Sequence, residues 1–417
     1  MTSMQRGSNV PRLGDFNQRV VLDCIRRTTV GISRVEIAGL TGLSEQTVSN
    51  LTRRLLDEGL VVELGREVNG PGKPRTMLGL NSEGMFSIGI HLDPVSVAVL
   101  MVNLAGEVVE RTTVVLEDDA DPACVLDGIV TAVERVTAGH PAALGRMMGV
   151  GVGVPGPIDV ARGVMINPPL LQTWRDVPIA TLLRSRLGLP VCVEKDLIAA
   201  AAGEAWLRQG STAPDFLYVY LGAGLGFGLV HDGAVQHGVS HNFGEVNMFI
   251  VQTSQPTLSC CVVPGSFAHR ISPRHLIHAA AEVGALDPAE VESAKNSPTG
   301  RDALVAVLAQ QARDGDAASA RVLDALADDL AAGLAPLTDL LDVNEVVIGG
   351  HSWARYADLV QSPMARRLGE RAVLRTARPV HVQSSRAMHE AIAIGAATMV
   401  LDERVSPDAR GLSGRRP

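Results

Sequence analysis

Between Ser33 and Gly59 the chain spells out two short helices and the tight turn joining them, a spacing that leaves few ways to fold. Ser33 followed three residues later by Glu36 is a capping box, so one helix starts at about Arg34. Gly42-Leu43 makes the turn, and Ser44 caps the next helix, EQTVSNLTRRLLDEG, which stops at Gly59. Val48, Leu51 and Leu55 fall at i, i+3 and i+7 and form an inward stripe. Ser44 stands at the helix start, and Gln46, Thr47, Ser49, Asn50 and Arg53 face outward. An earlier helix is expected over 17–27, capped by Asn17, with Val21, Leu22, Cys24 and Ile25 on one stripe. Polar side chains at the start of the second helix of such a pair are what base-edge recognition in a DNA major groove requires. A three-helix bundle with a solvated polar face is the plainer alternative.

Residues 60–80 weigh against that alternative. LVVEL, the turn-rich GREVNGPGKPR and TMLGL read as a hairpin, with Lys73 and Arg75 by its tip, where a wing touches phosphates or the minor groove. Charge agrees in sign. Residues 1–80 hold 11 Lys+Arg against 8 Asp+Glu, or +3; the rest holds 26 against 37, or -11. At 417 residues, 46% hydrophobic and 20% charged, the chain can bury sizeable cores, and wholesale disorder is excluded. No apolar run reaches the roughly 20 residues of a membrane span, and the first residues have no apolar signal core. Five cysteines in no metal-like pairing read as reduced thiols of a cytoplasmic protein. Aromatics at 3% disfavour a stacking platform for single strands.

Past residue 85 the pattern changes. FSIGIHLDPVSVAVLMVN and VVERTTVVL predict three antiparallel strands, Asp121-Pro122 opens a helix, and MMGVGVGV and PVCVEKD are further strands. LIAAAAGEAWLRQG is helical, a second strand cluster runs through FLYVYLGAGLGFGLV, helices dominate 272–341, and NEVVIGG and HEAIAIGAATMVL close the series. Strands followed by helices, twice over, predict an α/β body of two similar lobes with a cleft between them.

The head, SRVEIAGLTGLSEQTVSNLTRRLLDEGLVVELG followed by GPGKPRTMLGLN, resembles the winged helix-turn-helix of ROK-family repressors (repressor, open reading frame, kinase) of the xylose and N-acetylglucosamine type. The body resembles the ROK sugar-kinase body, an actin-like ATPase fold, over about 85–403. GVGVPGPIDVARGVMINPPLLQTW, VCVEKDLIAAAAGEAW, LYVYLGAGLGFGLVHDGAVQHG, FGEVNM and EVVIGGH fall where the family has its motifs. The resemblance implies a winged head over 1–80, a first lobe over 85–195 completed by a helix at 388–403, and a second lobe over 196–387.

It also implies parts that can be checked one by one. Where the family's first phosphate loop reads Asp-x-Gly-Gly-Thr, this chain has His91-Leu92-Asp93-Pro94-Val95, without glycines and with a proline that donates no N–H. That argues against kinase activity and leaves no catalytic residue, although Asp196 matches the family's base. Gly222-Ala223-Gly224-Leu225-Gly226 and Gly349-Gly350 keep the later glycine turns. Of the family's sugar ligands, Asp196 and Glu245 remain, while Lys195, Met248 and Ala268 stand where Asn, His and Glu are usual. Asn167, Lys195, Asp196 and Glu245 are the candidate effector residues. Lys195 either pairs with Glu245 or accepts an acidic sugar. The family's zinc knuckle is reduced to LSCCVVPGSFAH, with Leu258, Cys260 and Ser266 near the ligand positions and Cys261 and His269 nearby, so no metal and no cofactor are expected. The expectation is a DNA-binding regulator, a repressor acting as homodimer or homotetramer on double-stranded operator DNA, with a sugar or acidic sugar as effector. A sugar kinase with an appended head and a ligand-independent DNA-binding dimer are the rivals.

Overall fold

The computed structural model describes residues 10–67, 74–117, 120–169, 171–208, 215–245 and 266–407. Its head comprises α1 (Val10–Arg26), β1 (Ile32–Ser33), α2 (Arg34–Thr41), α3 (Glu45–Asp57), β2 (Val61–Glu67) and β3 (Arg75–Leu80). The local signals act as written. Ser33 and Glu36 cap α2 reciprocally, with Ser33 N–H donating to Glu36 Oε2 at 2.9 Å. Gly42 closes the helix at φ 70°, a left-handed turn without a Cβ penalty. Ser44 Oγ accepts the Thr47 N–H at 3.2 Å and starts α3. Val21, Ile25, Ile37, Val48 and Leu55 are fully buried together.

Two features depart from the sequence expectation. The first helix begins at Val10, so Asn17 lies within it rather than capping it; Pro11 in its first turn carries no N–H that needs a partner. The wing has a third strand, because Ile32 and Ser33 pair with Leu78 and Met77, giving the order β1-β3-β2. Two residues are too short to register as a strand in sequence; only the partner defines them.

The first half of the body runs β4 (Phe86–Leu92), β5 (Ser96–Asn103), β6 (Val108–Val115), α4 (Pro122–Ala138), α5 (Pro141–Leu144), β7 (Met147–Val154), the small pair β8 (Ile158–Asp159) and β9 (Val164–Met165), α6 (Ile179–Leu187) and β10 (Val191–Lys195). These strands make a sheet ordered β10-β7-β4-β5-β6, parallel on the β10 side and antiparallel on the β6 side. The second half runs α7 (Asp196–Leu207), β11 (Phe216–Leu221), β12 (Leu225–His231), β13 (Ala234–Val235), α8 (Phe267–Ile271), α9 (Pro273–Glu282), α10 (Pro288–Ala294), α11 (Pro298–Arg313), α12 (Ala317–Leu341), β14 (Glu345–Gly349), α13 (His351–Arg371), β15 (His381–Ser384) and α14 (Ala391–Val405). Its sheet is ordered β13-β12-β11-β14-β15, again part antiparallel and part parallel.

Small residues bring α7 and α14 together at the centre. A Cβ on Gly395 would lie 1.7 Å from Ala199 O of α7, and one on Gly151 of β7 would lie 1.9 Å from Ala396 O of α14. Such backbone-to-backbone contact is open only to glycine. The same two helices reach the head: Trp206 of α7 and Leu401 and Val405 of α14 join the head's apolar core, and the Arg26 guanidinium lies 4.1 Å over the Trp206 ring. No helix among the described residues is long and apolar enough to cross a membrane.

Candidate functional site: a DNA-reading helix and a cleft at the start of α7

On the head, α3 presents Ser44, Gln46, Asn50 and Arg53 to solvent, with Thr47 and Ser49 half-buried beside them. Gln46 Nε2 donates to Asn50 Oδ1 at 3.4 Å, so two amides one turn apart form a pair on the outer face. Arg75 opens β3, exposed and opposite Glu67; Lys73 lies outside the described residues. An exposed row of amide, hydroxyl and guanidinium groups on a capped helix offers the donors and acceptors needed at base edges.

In the body a cavity of about 480 Å³ opens where β10 runs into α7. Lys195 and Asp196 line it at that junction, and Glu245 enters on the loop that follows β13. Lys195, almost fully buried, donates to Glu245 Oε1 at 2.6 Å and to the carbonyl oxygens of Asn242 and Phe243 at 3.4 and 3.0 Å. The pairing of Lys195 with Glu245 read from the sequence is therefore present, and the ammonium is held by the loop itself. Asp196 accepts the Leu197 N–H at 2.7 Å. Burial nevertheless pushes its carboxyl up to about 7, against the opposing pull of Lys195.

The structure does not bring Asn167 to these three. It is exposed, its Oδ1 accepts the Arg175 guanidinium at 3.3 Å, and it is not part of the cavity wall. Ala268 does line the wall. Met248, Leu258, Cys260 and Cys261 lie outside the described residues. Ser266 caps α8 by accepting the His269 N–H.

His91, Leu92, Asp93 and Pro94, at the end of β4 and the turn after it, also line the cavity. Asp93 is buried, and its Oδ1 accepts the Val95 N–H at 3.0 Å. Tyr220 Oη donates to Asp93 Oδ2 at 3.4 Å. A backbone N–H that a phosphate would need is thus spent on the loop's own carboxylate, and Pro94 supplies none. His91 beside it is buried and pushed down to about 4 by desolvation, a neutral imidazole. At Gly222–Gly226 the turn survives, closed by Gly222 N–H to Gly224 O at 3.0 Å and by the Ser352 hydroxyl donating to Gly222 O at 3.1 Å.

Sequence reasoning missed Tyr220, Arg274 and Arg301 in the wall. Tyr220 stood two residues before a glycine loop already singled out, a usable signal. Arg274 and Arg301 sit in the first turns of α9 and α11, and only tertiary packing brings them to the cleft.

A winged helix-turn-helix head on a two-lobed body with a cleft between its sheets defines a DNA-binding regulator built on an actin-like sugar-kinase fold. A model of the ROK family matches residues 87–403, and one described as a winged helix-turn-helix DNA-binding domain matches residues 17–62. The chain belongs to the ROK family, as one of its DNA-binding transcriptional regulators. It is 26% identical over 395 residues to the xylose repressor of Caldicellulosiruptor bescii, covering 94% of this chain and 97% of that one. Among solved structures, a ROK family transcriptional regulator described as a homolog of the E. coli MLC protein superposes with a TM-score of 0.74 at 21% identity, over 96% of this chain and 98% of that one. A ROK family glucokinase from Streptomyces griseus, solved with glucose and AMPPNP, gives a TM-score of 0.64 at 26% identity, over 75% and 98%.

Proposed function

We propose that the chain is a sugar-responsive repressor that binds double-stranded operator DNA through α3 and the wing, as a homodimer or homotetramer in the cytoplasm. Its body binds an effector at Lys195, Asp196 and Glu245 and transfers no phosphoryl group. The single observation that carries this is the cavity at the β10–α7 junction. Two sugar-type hydrogen-bonding carboxyls, Asp196 and Glu245, line it, while the turn after β4 has spent a phosphate-binding N–H on Asp93. Arg274 and Arg301 in the same wall favour an acidic sugar or sugar phosphate within that class. The repressor name of the Caldicellulosiruptor bescii relative supports the direction of regulation.

The path from cavity to head is short. A helix rises about 1.5 Å per residue, and α7 starts with Asp196 in the cavity wall and ends beside Trp206, on which Arg26 of the head rests. An effector that binds one placement of α7 better than another shifts the head by that difference in affinity.

Thermal unfolding against sugars, sugar acids, sugar phosphates and ATP tests the proposal. An effector at 100 times its Kd adds about 2.7 kcal/mol of stability, and the same compound should release operator DNA. Phosphoryl transfer from ATP to a hexose, abolished in Asp196→Asn, would overturn the proposal in favour of a kinase. Silence from the whole panel with intact DNA binding would reduce the body to a dimer scaffold.

A further inference from the structure

A cluster outside the cavity has a different chemistry. Glu194, the residue before Lys195 on β10, is buried, with a side chain only 7% exposed. Its Oε1 accepts the Lys195 N–H at 2.9 Å. Its Oε2 faces two imidazoles, with His237 Nδ1 at 3.1 Å and His241 Nδ1 at 3.4 Å. All three ligand atoms lie within 4.8 Å of one another, and the two rings stand 4.9 Å apart at a tilt of 49°.

We propose that Glu194, His237 and His241 form a binding site for a zinc-class divalent cation, which fastens the 237–245 loop to the end of β10. Three observations support it. With metal–ligand bonds of about 2.0–2.2 Å, the ligand atoms of a tetrahedral zinc stand about 3.3–3.6 Å apart; the two carboxylate-to-imidazole separations match or fall just short of that spacing and need little adjustment. The donor set of two imidazoles and one carboxylate suits zinc and its neighbours rather than magnesium or calcium. His241 holds φ at 56°, a left-handed conformation unusual outside glycine, and its imidazole faces the carboxylate that already faces His237. The imidazoles are 32% and 41% exposed, leaving a solvent side for a water as fourth ligand.

The site's place gives it a consequence. Successive residues of a strand point to opposite faces, and one loop grips both: His237 and His241 hold Glu194, while Asn242, Phe243 and Glu245 hold Lys195. An ion at the first grip therefore fixes the segment that carries Glu245 into the cavity. Its three ligands include no cysteine, and its test does not depend on an effector.

The test is Co²⁺ absorption and Zn²⁺ equilibrium dialysis on the full chain after chelator treatment. One Co²⁺ per chain is expected, with d–d bands and no thiolate charge-transfer band. His237→Gln, His241→Gln and Glu194→Gln should each weaken binding by at least about 10- to 100-fold, the cost already of disturbing an outer-shell partner. Controls at His231→Gln, His275→Gln and the double Cys260→Ser, Cys261→Ser variant should bind as wild type. Affinity of the wild type should fall in acid, where protons compete with the metal for its ligands; this and the wild-type spectrum serve if a variant misfolds. A thiolate band, binding unchanged in folded histidine variants, or no binding at about 100 μM metal, far above structural-zinc affinities, overturns the proposal.

Discussion

Asp196→Asn should stabilise the protein at mildly alkaline pH and by less in acid, and the cavity wall gives the size of the effect. Asp196 accepts the Leu197 N–H and lies beside Lys195, yet burial outweighs both and lifts its carboxyl from 3.8 to about 7. Between those values the native state holds a proton that the unfolded chain has released. Stability therefore falls as pH rises through this window, and the loss is complete above about pH 7. At 1.36 kcal/mol per pKa unit the full penalty is about 4 kcal/mol, and about 2 kcal/mol of it accrues between pH 5.5 and pH 8. Asparagine keeps the shape and the bond to Leu197 but carries no charge, so the variant escapes the penalty. Urea unfolding of both proteins at about pH 5.5 and about pH 8, read from midpoints and m-values, measures the difference directly. The variant's advantage should widen by about 2 kcal/mol toward pH 8. An advantage independent of pH, or an asparagine variant that is less stable at pH 8, would refute the argument that desolvation dominates at Asp196.

Three further predictions address the other parts of the molecule. Asn50→Ala or Gln46→Ala should cost about 1–3 kcal/mol at the cognate operator and little on random DNA, whereas Arg75→Ala should weaken both alike and flatten the salt dependence; fluorescence anisotropy on the two DNAs at several salt concentrations separates these outcomes. Trp206→Ala, which removes the ring under Arg26, should leave operator binding within a few-fold of wild type but blunt its release by an effector, as gel shifts with and without the effector will report. Gly395→Ala sets a methyl 1.7 Å from Ala199 O, where neither backbone can yield, and should destabilise by about 3 kcal/mol or more in chemical unfolding.

The head was legible because its signals are local. Ser33, Glu36, Gly42 and Ser44 each act within four residues of themselves, and each does in space what its spacing implies. Where the signal is non-local, legibility ended. Asn17 has the chemistry of a cap yet lies mid-helix, since cap residues permit a helix start without enforcing one. β1 and β15 are defined only by partners 44 or more and 36 residues away in sequence. The cavity divides in the same way. Lys195, Asp196 and Glu245 converge because a strand end and a loop meet there. Asn167 turns to Arg175 instead, and Arg274 and Arg301 arrive on helices whose placement no short motif encodes. The His237–His241 spacing was visible throughout, but its meaning depended on Glu194, more than forty residues away.

The two central helices join the cavity to the head. α7 and α14 touch backbone to backbone at Gly395 and Ala199, too closely for one to slide while the other stays. Both end in the head's core, through Trp206 on one and Leu401 and Val405 on the other. On the proposed reading, a displacement at Asp196 is therefore passed to the floor on which the head sits. Lys195 sets the resting state, because its ammonium binds Glu245 and two loop carbonyls and so ties the loop to the helix start. A sugar hydroxyl that donates to Glu245 competes with the ammonium for the same carboxylate, whereas an acidic sugar adds a second anion for the ammonium to hold. Under the proposed reading both effector classes act on this tie, a neutral sugar by competing for the carboxylate and an acidic one by competing for the ammonium. Lys195→Met, which removes the ammonium, should therefore alter the response to an acidic sugar more than to a neutral one, as thermal shifts with each class will report.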